Sequence, residues 1–220
     1  MALDVVIACA GGSGLKVFQI LEDQAATGDD TYHLIGFIDD NPDLWGTEFF
    51  GLPVFGDVSS LEEMTKSQRL GVVCPIGDPL NREKKITQLK ELNVEFINAI
   101  HPSAQIARSA QVGIGNVFSQ NVVIQAGAHI GDFNTFNIAA IMGPLAIIHD
   151  YCTINATVML ASGSETMNYC YIGMGAKVMQ RIKVNEGTIL GANGFLHKEA
   201  PAWSTVVGLP GKVIKVRKNH

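Results

Sequence analysis

Hydrophobic positions follow two different rhythms along the chain. Over residues 1–100, short apolar runs alternate with stretches of helical spacing. "LDVVIACA" reads as a buried strand closed by the glycine turn "GGSG". "LKVFQILED" then places Val17, Ile20 and Leu21 on one helical face. "YHLIGFIDD", "GVVCPIG" and "VEFINAI" read as further strands. "NREKKITQLKELN" reads as an amphipathic helix carrying Ile86, Leu89 and Leu92. Strands alternating with helices predict a small parallel α/β, Rossmann-like domain over residues 1–100.

After "HPSA" the period becomes six. Stepping by six from Ile106 to Leu196, fifteen of sixteen residues are apolar, Thr166 being the exception. Two residues before each sits a small side chain in most hexads, such as Ala128, Ala140, Ala146, Cys152 and Cys170. The residue after it is often glycine, as at Gly113, Gly131, Gly143, Gly173 and Gly191. Neither a helix nor a flat alternating strand repeats every six residues, but a hexapeptide β-helix does. The large residue points into a prism, the small one relieves crowding, and glycine is expected to ease the corner. The expectation for residues 101–220 is a left-handed parallel β-helix of about five coils with a C-terminal tail. A solenoid with broad flat faces and an exposed end also predicts self-association.

Composition narrows the classes. Of 220 residues, 47% are hydrophobic and 17% charged, which supplies a core. The net charge of −5 comes without a basic run, so nucleic acid is not an expected partner. Cys9, Cys74, Cys152 and Cys170 show no metal-binding spacing, and no metal is expected. They read as buried thiols in a reducing cytoplasm. No apolar run reaches the length of a membrane span, and the N-terminus lacks the pattern of a signal peptide.

Several short pieces, taken in order, carry a resemblance. They are "AGGSGLKV", "GFIDDNP" with "GLPVFGD", "IGDPLNREKKI", "IHPSA", the hexads, and "VVGLPGKVIKV". Together they resemble the sugar-nucleotide acyltransferases of the hexapeptide, left-handed β-helix type. Relatives in that group are the sialic-acid O-acetyltransferases and the N-acyltransferases of nucleotide-linked 4-amino-4,6-dideoxy sugars. The resemblance implies a homotrimer, acyl-CoA (acetyl or longer) lying between neighbouring β-helices, and a nucleotide-sugar held by the N-terminal domain. The family usually has a histidine where Ser13 stands, and its glycine turn is one residue shorter before the basic residue that Lys16 matches.

The residues themselves supply candidates. Gly11, Gly12, Ser13 and Gly14 would bare N–H groups at a helix N-terminus, which suits a phosphate; an ordinary turn is the alternative. Lys16 lies just beyond. Asp39 and Asp40 end the second strand, where carboxylates could accept bonds from a ribose or a base. Ala161, Gly163, Gly173 and Gly191 are small enough to admit pantetheine, or are small only for packing. Lys198, Lys212 and Lys215 could meet CoA phosphates or stay solvated. Trp203 could pack the solenoid end or stack on adenine.

The pair His149-Asp150 poses the sharpest question. The family base is a histidine followed by an acid, four residues before a hexad's apolar residue. His149 stands five before Ile154. Counted without a gap, the family histidine falls at Pro144, its acid at Leu145, a preceding asparagine at Asn137, and a second histidine at Thr153. His149 is then either an incidental corner residue or a substitute base. A hydroxyl nucleophile needs a base, whereas a sugar amine with a pKa of about 8 is partly neutral at pH 7. The expected activity is therefore acyl-CoA-dependent N-acylation of a nucleotide-linked amino sugar. The alternatives are O-acetylation with His149 or Asp150 as base, or a catalytically impaired binding protein. Acyl group, nucleotide and sugar stereochemistry are not legible.

Overall fold

The computed structural model describes residues 2–218 and divides into two compact units, one ending at Pro102 and the other starting at Ser103. In the first unit, strand β1 (Leu3–Ala8) leads through the glycine turn into helix α1 (Gly12–Ala26) and strand β2 (Tyr32–Ile38). A hairpin, β3 (Glu48–Phe49) and β4 (Leu52–Pro53), precedes helix α2 (Glu62–Ser67). Strand β5 (Leu70–Val73), helix α3 (Pro79–Leu89) and strand β6 (Val94–Phe96) follow. The sheet order is β2-β1-β5-β6, all parallel. Strands β1 and β5 have no exposure at Val5, Val6, Ile7, Val72 and Val73, as expected for a sheet covered on both faces.

Two expectations change here. Helix α3 stops at Leu89, so Leu92 lies past its end in a turn whose N–H reaches the Leu89 carbonyl. The run "VEFINAI" makes two short strands, Val94–Phe96 and Ala99–Ile100. Asp78 caps α3 by accepting from Asn81 N–H, and Pro79 occupies its first turn, where no N–H is needed.

The second unit is the left-handed β-helix. Each coil takes eighteen residues, so Ile106, Ile124, Met142 and Leu160 stack in register. Six strands, from Gln105–Ile106 to Phe195–Leu196, form the first face. Five, from Gln111–Val112 to Lys183–Val184, form the second. The third face runs from Val117–Phe118 to Ile189–Leu190 and ends in Ser204–Val207 with the antiparallel strand Lys212–Val216. Five coils are complete and a sixth is begun. The inward residues of the hexads are almost all buried, each contributing about 1.5–3 kcal/mol.

The corner chemistry corrects one expectation. The left-handed backbone falls three residues after the inward residue, at Asn121, Ala139, Thr157 and Asn193 on one corner. The glycines directly after the inward residue are needed for another reason. A Cβ at Gly173 would lie 2.6 Å from Ala192 N, and one at Gly143 would lie 2.8 Å from Ser162 N. They let one coil approach the next rather than bend the chain.

Candidate active site

The first cluster forms at the carboxyl ends of β1, β2 and β5. The chain turns outward from β1 to β2 on one side and from β5 to β6 on the other, so a crevice opens between β1 and β5, the usual ligand position in such sheets. Gly11 is the N-cap of α1 in extended conformation, with no side-chain cap. Gly14 is fixed by proximity, because a Cβ there would collide with the Cys9 carbonyl. The N–H groups of Gly11 and Gly14 reach the Cys9 sulfur, while burial pushes that thiol up. Gly12 is open, and Ser13 faces Gly77 in the turn after β5.

The acids after β2 are tied to this turn. Asp39 Oδ2 accepts from Ala10 N–H at 2.8 Å, and Oδ1 accepts from Asn41 N–H at 2.9 Å. Asp40 pairs with Lys85, whose side chain is buried while the Asp40 side chain is 69% exposed. Lys16 is pushed down from the ordinary lysine value, first by burial and then by the nearby Arg82 charge. Arg82 has no exposure and donates to the Ile76 carbonyl at 2.7 Å. Lys16 and Arg82 thus lie near each other, Lys85 is tied to Asp40, and the uncapped N-terminus of α1 is the element suited to a phosphate. Arg82 and Lys85 were not among the sequence candidates. Their signal was present, since both occupy the face of α3 that also buries Ile86 and Leu89.

The second cluster lies on the β-helix. Asp150 belongs to a ladder at one corner: Asp132 Oδ1 accepts from Ile114 N–H, Asp150 Oδ1 from Asp132 N–H, and Asn168 Oδ1 from Asp150 N–H, at 2.8–2.9 Å. His149 does not meet Asp150. Its Nε2 lies 3.0 Å from Glu165 Oε1, and Glu165 Oε2 lies 3.3 Å from Lys183 Nζ. The His149 bond and Lys183 hold the Glu165 carboxyl below its ordinary value. Glu165 is a partner that sequence reading missed, being two residues short of a full coil away.

Pro144 and Leu145 occupy a different corner, both exposed, Leu145 at 66%. Asn137 donates to Asn155 Oδ1 at 3.1 Å, and Asn155 donates to the Ile172 carbonyl. Thr153 is buried with its hydroxyl 3.4 Å from that of Thr135. Gly173 and Gly191 are close-packing positions, a Cβ at Gly191 meeting Val207 at 2.9 Å. Gly163 is a left-handed corner residue, and Ala161 N–H continues the ladder to the Val178 carbonyl. Lys198 and Lys212 line an open cleft of about 270 Å³ with Glu199 and Ala200, while Lys215 is exposed on the last strand. Trp203 closes an aromatic stack of Phe133, Tyr151 and Tyr169, with Arg217 over its ring. Among the described residues no group of three His, Cys, Asp or Glu could hold a metal ion, and no helix is long and apolar enough to cross a membrane.

An α/β unit with a phosphate-type turn, followed by a hexapeptide β-helix, defines a class of acyltransferase. Residues 4–89 match the PglD N-terminal domain family. PerB from Caulobacter crescentus, solved with CoA and GDP-perosamine, is 27% identical, with 98% of each chain covered and a TM-score of 0.86. The acetyltransferase domain of PglB from Neisseria gonorrhoeae, solved with acetyl coenzyme A, is 25% identical, covering 97% of this chain and all of that one, with a TM-score of 0.88. A serine acetyltransferase of Staphylococcus aureus is 46% identical over 44 residues, about a fifth of either chain. In fold and in sequence the chain is thus similar to the sugar-nucleotide acyltransferases of the hexapeptide, left-handed β-helix type, an acyltransferase architecture whose solved members above hold CoA or acetyl coenzyme A.

Proposed function

We propose that the protein transfers an acyl group from acyl-CoA to the amino group of a nucleotide-linked 4-amino-4,6-dideoxy sugar, without a base from the protein. What carries this reading is the ungapped hexad count, on which the family's histidine and acid fall at Pro144 and Leu145, whose side chains can accept no proton. The neutral amine attacks the thioester carbonyl and the C–S bond breaks. CoA leaves as thiolate, and the new amide nitrogen gives its proton to that thiolate or to water. Proximity and backbone N–H groups supply the acceleration. PerB, solved with GDP-perosamine and CoA, supports the substrate class.

In this reading Gly11, Gly12, Ser13, Gly14 and Lys16 hold the diphosphate, with Asp39 and Asp40 shaping the mouth. Ala161, Gly163, Gly173 and Gly191 line the pantetheine path, and Asn137 lines the acceptor side. The protein works as a homotrimer, for which the outward apolar column Val123, Ile141 and Met159 on the first face supplies a contact surface. One observation favours a second reading: His149 is half-exposed and held by a carboxylate, as an oriented base would be. The test is thiol release from acetyl-CoA with paired 4-amino and 4-hydroxy sugar nucleotides. Turnover of the amine alone supports the proposal. Turnover of the hydroxyl sugar that is lost in His149→Ala establishes the second reading.

A further inference from the structure

Trp45 is one of the two tryptophans, and its role is not explained by the fold. Its side chain lies in the segment that follows β2, and the residue is 44% exposed. Its ring is nevertheless fixed: the indole N–H donates to the Asp39 carbonyl at 2.8 Å. The same Asp39 accepts from Ala10 N–H, so a single residue joins the tryptophan to the glycine turn. The backbone around it is also held, with Trp45 N–H on the Pro42 carbonyl and Gly46 N–H on the Val54 carbonyl. Trp45 is thus a large aromatic side chain held in place just past the carboxyl end of β2 while much of it stays open to solvent, and an indole so held offers a flat surface to a ligand.

Its place matters for a nucleotide. In a parallel α/β sheet the phosphates sit at the N-terminus of the first helix and the ribose meets the acid that ends the second strand. The base then extends past that strand, toward the segment that carries Trp45. We infer that Trp45 is the stacking platform for the nucleobase of the sugar nucleotide, so that the base is recognised by its flat face. The inference rests on the proposed nucleotide-sugar substrate and assigns its base-recognition residue. A larger ring covers more of the indole, so purine nucleotides bind more tightly than pyrimidine nucleotides.

Binding of GDP, UDP and ribose 5-phosphate to the full chain, measured by calorimetry and by tryptophan emission, tests this. Trp203 is buried in its aromatic stack, so quenching by GDP reports on Trp45. Trp45→Ala is expected to weaken GDP about five- to a hundred-fold, the usual range for losing one stacked base. Trp45→Phe is expected to restore most of the loss, although it cannot make the bond to Asp39. Ribose 5-phosphate and CoA are expected to bind all three proteins alike, and the loss appears in KM for the sugar nucleotide with kcat kept. Unchanged GDP binding in Trp45→Ala overturns the inference, as does an equal loss for ribose 5-phosphate, which would mark Trp45 as a mere prop for the turn. Failure of the wild-type protein to bind GDP or UDP while it binds CoA overturns instead the nucleotide-sugar reading beneath it.

Discussion

The two units bring side chains together by different rules. In the β-helix most contacts come from one number. Asp150 meets Asp132 and Asn168 because each lies eighteen residues from the next, and Phe118 stacks on Phe136 at 5.0 Å for the same reason. In the α/β unit the contacts obey no such arithmetic. Lys85 reaches Asp40 across 45 residues, and Asp39 reaches Ala10 across 29. A periodic scaffold makes the environment of each residue readable, whereas a layered sheet hides its site in tertiary contacts.

The contrast can be broken most severely at the glycine turn. Gly14→Ala is expected to unfold the α/β unit or to abolish its nucleotide binding, since the new methyl group collides with backbone that cannot move aside. Circular dichroism should show loss of helix with the β-helix signal kept. Next in size is the solenoid core. Phe136→Ala should cost about 3–5 kcal/mol in chemical unfolding, and Leu160→Ala, one face away, about 2–5 kcal/mol. Both should leave the α/β unit's melting unchanged if the units respond separately.

A smaller effect separates structure from chemistry at the opposite corner. Asp150→Ala leaves the Asp132 N–H without its acceptor and should cost about 1 kcal/mol, while Asp150→Asn keeps an acceptor and should be nearly neutral. Loss of kcat in Asp150→Asn with stability kept would place Asp150 in the chemistry after all. The smallest effect concerns Glu165. Its folded pKa lies below the unfolded value of about 4.3, so its contribution to stability is present above that pH and disappears as the pH falls through the lower, folded value. The stability gap between wild type and Glu165→Gln, followed by urea unfolding, should therefore narrow below about pH 4.3.

How far the sequence reached follows the same division. The period of six was enough to place the coils and their inward residues. It could not name Glu165, because a half-exposed side chain reaches its partner by bending along a face rather than by stacking in register. In the α/β unit the turn and the two acids were visible as local patterns. Arg82 and Lys85 were not recognised, because a charged side chain on the buried face of α3 makes sense only once the mouth it faces is known. Trp45 stayed silent for a similar reason, since its anchoring carbonyl is that of Asp39, six residues earlier and just past the end of β2.

The central claim is that the amine of the substrate, and not a histidine, governs the proton. The most direct measurement is the pH dependence of kcat for a 4-amino sugar nucleotide, in wild type and in His149→Ala. The account predicts one rising limb in both proteins, centred at the amine's own pKa of about 8, and rates within about threefold of each other. A limb near the ordinary histidine value of about 6.5 in wild type, with a fall of about a hundredfold or more in His149→Ala, would contradict it and make His149 the base.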